Sequence, residues 1–174
     1  LSKHQLHEKR LELICKLLSN DYLDLYGKGW DSYSNLPMKW RKSLLALLGK
    51  PKNRSIPNKL NTISNYRFCL CMENFEYPGY ITEKIVHSIV AQSVPIYIGA
   101  PNIEKHFPSE CYIDVRKYKN VESIYNYIKN LDEDTYQKMI MAGQKFLKSN
   151  SGNLHSYEGF ANNIADLINA EAIE

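Results

Sequence analysis

Apolar positions along this chain recur in blocks that read as alternating helices and strands. Over 6–18, Leu6, Leu11, Leu13, Ile14, Leu17 and Leu18 stand among charged residues, which predicts an amphipathic helix. Residues 21–26 (DYLDLY) read as a short strand stopped by Gly27-Lys28-Gly29, and 30–35 as loop. Pro37 opens a predicted helix that ends at Leu48 before Gly49, and 50–58, with two prolines and three basic residues, reads as a second loop. Residues 66–72 (YRFCLCM) predict a buried strand. A helix follows over 82–92, where Ile85 and Ile89, and Val86 and Val90, are four apart. Strands are predicted at 94–98, broken by Gly99-Ala100-Pro101, and at 112–115. Helices are predicted at 121–131 and 133–148, and a terminal one at 157–170, within 155–171. Strands alternating with helices predict an α/β fold: a Rossmann-like parallel sheet with helices on both faces.

Composition narrows this picture. A chain of 174 residues suits a single domain, 1–174. At 44% hydrophobic and 24% charged it has enough apolar surface to fold, which excludes a disordered chain. The longest purely apolar run, 44–48, is far too short for a membrane helix. Cysteines 15, 69, 71 and 111 form no CxxC pair, so neither a disulfide framework nor a zinc site is indicated. The chain begins without Met or a signal peptide, which reads as a fragment.

Charge changes it further. The net +3 conceals an acid-free stretch, 32–72, that carries +8 and leaves −5 for the remainder. Such concentration points to an anionic ligand or surface, or else to a solvated basic loop. Within it, the predicted helix 37–48 sets Trp40, Leu44, Leu47 and Leu48 on one stripe beside Lys39, Arg41 and Lys42. That helix either rests on an anionic membrane or packs its leucines on the domain.

Ligands of open parallel sheets bind beyond the carboxyl ends of the strands. The densest polar cluster, 73–84, follows strand 66–72 there. With Thr82 as N-cap, Glu83 and Lys84 fall in the first helical turn, where free N–H groups and the dipole favour anions. Lys84 opposes that dipole unless a negative ligand lies nearby, which makes it a candidate phosphate clamp. Glu83 could accept ribose hydroxyls, and Tyr80 could offer a ring face or a phenolic donor. The same pattern also fits a helix start with ordinary surface charges. No GxGxxG or GxxxxGK[ST] sequence is present. His4 and His7 lack an evident third metal ligand, Asp132-Glu133-Asp134 reads as an N-cap with first-turn acids, and Cys69 and Cys71 read as core residues on one strand face.

Residues 66–74 (YRFCLCMEN), followed by 79–85 (GYITEKI), closely resemble the signature of the α-1,3-fucosyltransferases, glycosyltransferase family 10. Residues 94–103 (VPIYIGAPNI), then Phe107-Pro108 and Tyr112-Ile113-Asp114, resemble the family's following segments. Upstream, Asp24-Leu25-Tyr26-Gly27 resembles its Asp-x-Tyr-Gly strand end, and Ser2 and Arg10 match residues of its first helix. The resemblance implies the C-terminal, donor-binding half of a GT-B enzyme, with the N-terminal acceptor domain absent from this chain. It further implies inverting transfer of L-fucose from GDP-fucose to a glycan hydroxyl, commonly α-1,3 to N-acetylglucosamine. By position, Arg10 and Lys84 would pair with the diphosphate, Tyr80 would contact the donor, Glu83 would accept the ribose hydroxyls and Asn74 would line the crevice. Glu73 would steady either the motif loop or developing positive charge, while the general base would lie in the absent half. This fragment alone is therefore expected to bind donor weakly at best and not to turn over.

The implied donor substrate is GDP-fucose, with no tightly bound cofactor and a divalent cation at most stimulatory. The implied partners are the GDP-sugar and a glycan acceptor, with no nucleic acid. Two departures qualify the match: Lys3 stands where the family often has Asn, and no cysteine follows Cys111, unlike in animal members. The second favours a bacterial-type, cytoplasmic enzyme, the alternative being the Golgi lumen; the basic helix 37–48 separately offers a peripheral membrane contact. A transferase for another GDP-sugar and a non-catalytic nucleotide-sugar-binding module remain the competing readings.

Overall fold

A computed structural model describes residues 6–26, 56 and 58–171. Among these, three strands form one parallel sheet in the order β1 (Phe68–Met72), β2 (Val94–Ile98), β3 (Ile113–Asp114). β1 and β2 pair from Phe68↔Val94 to Met72↔Ile98, and β2 pairs with β3 at Ile96↔Ile113 and Tyr97↔Asp114. The helices are α1 (His7–Ser19), α2 (Lys59–Ile63), α3 (Glu83–Val90), α4 (Val121–Lys129), α5 (Glu133–Leu147), α6 (Asn150–Asn153) and α7 (Tyr157–Glu171).

The period-two alternation of the strands divides the core between two faces. Cys71 and Tyr97, partners in register, pack with Ile85 and Ile89 of α3, Phe107 and Phe146 of α5. On the opposite face Leu70, Met72 and Ile98 pack with Leu13 and Ile14 of α1 and with Val121 of α4. Phe68, Val94 and Ile96 extend that face to Tyr136 and Met139 of α5. Each such aliphatic side chain contributes roughly 1.5–3 kcal/mol when fully buried, so helices on both faces follow from the strand pattern. The Rossmann-like layering expected from the sequence is the one observed.

Several boundaries differ, each for a local reason. Residues 21–26 do not form a strand. α1 ends at Ser19, and two residues on Asp21, with a φ of 58°, reverses the chain, an orientation that aspartate tolerates. Leu23 and Leu25 then pack on the α1 cluster, but the segment is tied down by side chains, Tyr66 Oη donating to Asp24 Oδ2 at 2.7 Å. Alternation reported which residues turn inward, not whether a ladder forms. The strand expected at 112–115 shrinks to two residues because Asp114 accepts from the Arg116 N–H at 2.9 Å and turns the chain. The sequence pattern does not predict helix α2, which Asn58 caps by accepting from the Asn61 N–H at 3.0 Å. The terminal helix begins at Tyr157 as expected, and a separate short helix, α6, precedes it. Asp132 caps α5 as expected, accepting from the Thr135 N–H at 2.8 Å. The predicted helix 37–48, and with it the proposed membrane contact, lies outside the described residues, as does His4.

Candidate donor-binding site

Glu73 is the first residue beyond β1, and its N–H still donates to Ile98 O at 2.9 Å. Strand alternation turns its side chain to the face of Cys71 and Tyr97, where it has no solvent exposure. A buried carboxylate must be paired or heavily hydrogen-bonded. Here it accepts from the Thr82 N–H at 2.9 Å, from Thr82 Oγ1 at 2.8 Å and from Lys84 Nζ at 2.9 Å. Lys84 Nζ also donates to Thr82 Oγ1 at 2.8 Å, which closes the cluster.

This arrangement corrects two sequence expectations. Thr82 occupies the N-cap position of α3, but its hydroxyl is spent on Glu73 and makes no cap. The negative partner that makes a first-turn lysine tolerable is the protein's own Glu73, not a ligand alone. Among the described residues, two of the three ammonium protons of Lys84 go to Glu73 and Thr82, which leaves one for an incoming anion. The Lys84 side chain keeps 26% of its exposure, so that proton can be reached.

Arg10 approaches from α1, donating through Nη1 to Asn74 Oδ1, while the Leu6 N–H donates to Asn74 O at 2.9 Å. Burial pushes the Arg10 guanidinium pKa down, and the nearby Glu73 and Tyr80 partly oppose it. Its Nε is buried and, among the described residues, makes no hydrogen bond. Arg10 and Lys84 thus flank one carboxylate, leaving an excess of positive charge and an unmet donor at the end of β1. Tyr80 stands edge-on to Phe75, ring centres 5.6 Å apart.

Glu83 lies outside this cluster. It is exposed in the first turn of α3 and pairs with Lys59 Nζ of α2 at 3.4 Å. Burial works to raise its pKa, but the helix-start N–H, Lys84 and Lys59 outweigh it and hold the carboxyl below its usual range. Lys59 and Arg10 both line a cavity of about 590 Å³ between α1, residues 21–26, α2 and β1. The structure therefore brings Arg10, Glu73, Asn74, Tyr80 and Lys84 to one corner, with Glu83 beside it.

Sequence reasoning missed the residues that shape this corner. Gly99, just beyond β2, passes so close that a Cβ would lie 2.5 Å from Glu73 Cγ. Asn102 Oδ1 accepts from the Gly79 N–H at 2.8 Å, and Gly79 has the positive φ of 76° that favours glycine. The glycine directly after an apolar strand was the available signal. Nothing in the spacing singled out Asn102. Among the described residues no group of three or more His, Cys, Asp or Glu is placed to hold a metal ion, and no helix is long and apolar enough to cross a membrane. All four cysteines are free thiols, and Cys71 is a core residue as expected.

The chain is 31% identical over 107 residues to the alpha-(1,3)-fucosyltransferase FucT of Helicobacter pylori, a match covering 62% of this chain and 22% of that protein. It is 37% identical over 79 residues to the putative fucosyltransferase R654 of Acanthamoeba polyphaga mimivirus, covering 44% and 13%. An alpha-(1,4)-fucosyltransferase of Arabidopsis thaliana shares 36% over 72 residues, covering 41% and 18%. The matches thus span less than a quarter of these relatives' lengths. A solved alpha1,3-fucosyltransferase with GDP-fucose has the same fold, with a TM-score of 0.50 at 24% identity over 78% of this chain and 44% of that one. Residues 1–141 match the family described as glycosyltransferase family 10 (fucosyltransferase) C-term, and the chain belongs to that family.

Proposed function

We propose that this chain is the donor-binding half of a fucosyltransferase and takes GDP-fucose at the end of β1. The observation that carries the reading is the pair Arg10 and Lys84 flanking buried Glu73, beside an α3 N-terminus without a side-chain cap. Its excess cation and unmet Arg10 Nε suit a diphosphate, and the helix dipole at the α3 start favours an anion. In the proposed reaction GDP is the leaving group. Cations on its phosphates stabilise charge that grows in the transition state, the setting in which fixed electrostatics contribute most. Tyr80 and Asn74 line the donor crevice, Glu83 accepts the ribose hydroxyls and Glu73 steadies the motif loop. The family and the names of its relatives support fucose as the sugar, and the H. pylori relative supports an α-1,3 linkage. N-acetylglucosamine as acceptor, inversion, and a general base in a separate N-terminal half complete the proposal. Contact of 37–48 with an anionic membrane is part of it too, tested by liposome binding of Trp40→Ala/Leu44→Ala, whose unchanged binding would dismiss it.

Thermal denaturation with GDP, GDP-fucose and UDP tests the donor reading, because a ligand that binds only the folded state raises its stability. GDP and GDP-fucose are expected to raise the midpoint and UDP to leave it unchanged. Equal protection by UDP, or none by GDP, overturns the reading.

A further inference from the structure

The loop 73–82 is held at three places. Its base closes through Glu73 and Thr82, and its α1 side through Leu6 to Asn74 and through Lys9 to Glu76 at 3.3 Å. Its tip is held from the β2–β3 connection, where Asn102 Oδ1 accepts from the Gly79 N–H at 2.8 Å. A backbone N–H can only donate, so Asn102 must present its oxygen there, and its amide nitrogen turns toward His106 Nε2 at 3.5 Å.

Asn102 is itself braced. Arg116 Nη1 donates to Pro101 O, the preceding carbonyl, at 2.7 Å. The same guanidinium grips Asp114 at the end of β3, Nε and Nη2 donating at 2.9 Å to Oδ1 and 2.7 Å to Oδ2. A forked, charge-assisted contact of this kind fixes direction as well as distance. Hydrogen bonds from β3 through Arg116 to the Pro101 carbonyl, joined by the Pro101–Asn102 peptide to the Asn102–Gly79 bond, therefore connect β3 to Gly79, the residue before Tyr80.

We infer that Asn102 is a positioning residue for the donor, acting through Gly79 to hold Tyr80 and the loop in their binding arrangement. This rests on the donor-binding reading above. A loop ordered beforehand does not have to be ordered on binding, so releasing its tip weakens affinity without removing a ligand contact. Loss of one net hydrogen bond corresponds to a change of about three- to tenfold in affinity.

The test is titration of GDP into the parent chain, Asn102→Ala, Asn102→Asp and Lys84→Ala, with hydrogen exchange read at the Gly79 amide. Asn102→Ala is expected to raise the GDP Kd about three- to tenfold and to speed Gly79 exchange, with the unliganded thermal midpoint nearly unchanged. Asn102→Asp keeps an acceptor oxygen and is expected to restore both readings. If Lys84→Ala loses affinity while Asn102→Ala does not, the positioning role is overturned and the donor reading stands. Equal losses in the alanine and aspartate variants also overturn it. If the parent binds GDP no better than UDP, the donor reading itself fails, and the inference with it.

Discussion

β1 carries an ion pair at each end, and the two are unlike in everything but charge. At its N-terminal end Arg67 Nη1 meets Glu133 Oε2 at 2.7 Å, with the guanidinium 3.9 Å above the Tyr136 ring. At its C-terminal end Lys84 Nζ meets Glu73 Oε2 at a longer 2.9 Å. The shorter contact is the weaker one. Both its side chains are half exposed, 50% and 58%, whereas Glu73 is wholly buried. Exposed pairs contribute about 0–1 kcal/mol because water and ions screen them. Removing one partner of a buried pair costs about 3–5 kcal/mol, since the other is left uncompensated. The comparison separates a strap on the surface from a charge cluster on which a loop and a helix start both depend.

Glu73→Ala bears hardest on this distinction. It removes the acceptor of the Thr82 N–H and of the Thr82 hydroxyl proton and leaves Lys84 without its anion. A loss of about 3–5 kcal/mol is expected in urea denaturation, and a loss under 1 kcal/mol would put the two ends on a par. Gly99→Ala comes next, because its Cβ would press on Glu73 Cγ and on Tyr97 Oη, each 2.5 Å away. Overpacking of this kind costs about 1–3 kcal/mol, read in the same denaturation series.

A third test uses pH on a buried carboxylate with a different partner. Burial pushes the Asp114 carboxyl up, but its bonds to the Arg116 side chain and N–H outweigh that and hold it below its usual range. A depressed folded pKa stabilises the fold above the unfolded value, about 3.9, and the benefit disappears as pH falls through the folded value. The stability gap between the parent and Asp114→Asn should therefore be full near neutral pH and close progressively below about pH 4. A gap that stays constant through that window would contradict the pairing. The smallest effect is expected of Arg67→Ala, within about 1 kcal/mol and reduced further by salt.

The same contrast explains what could be read in the sequence. The residues 94–98 are β2 residue for residue, and 133–148 is α5 within one residue, because long or bounded apolar patterns report burial directly. Tyr80, Glu83 and Lys84 were legible because one strand–loop–helix window contains them all, whereas a role for Glu73 came from the family resemblance. Arg10 was not legible from pattern. It meets Asn74 across 64 residues, and only the family resemblance pointed to it. Gly99 and Asn102 stayed hidden because their partners are set by β2 register and loop path, which no local period encodes. Residues 21–26 show the converse, an inward-facing pattern without a ladder.

Calorimetric titration of GDP into the parent, Lys84→Ala and Arg67→Ala tests the central claim most directly. Losing a hydrogen bond to a charged group predicts that Lys84→Ala weakens GDP binding about tenfold or more, while Arg67→Ala leaves it unchanged. Equal affinity in all three proteins would contradict the assignment of the C-terminal end of β1 as the donor site.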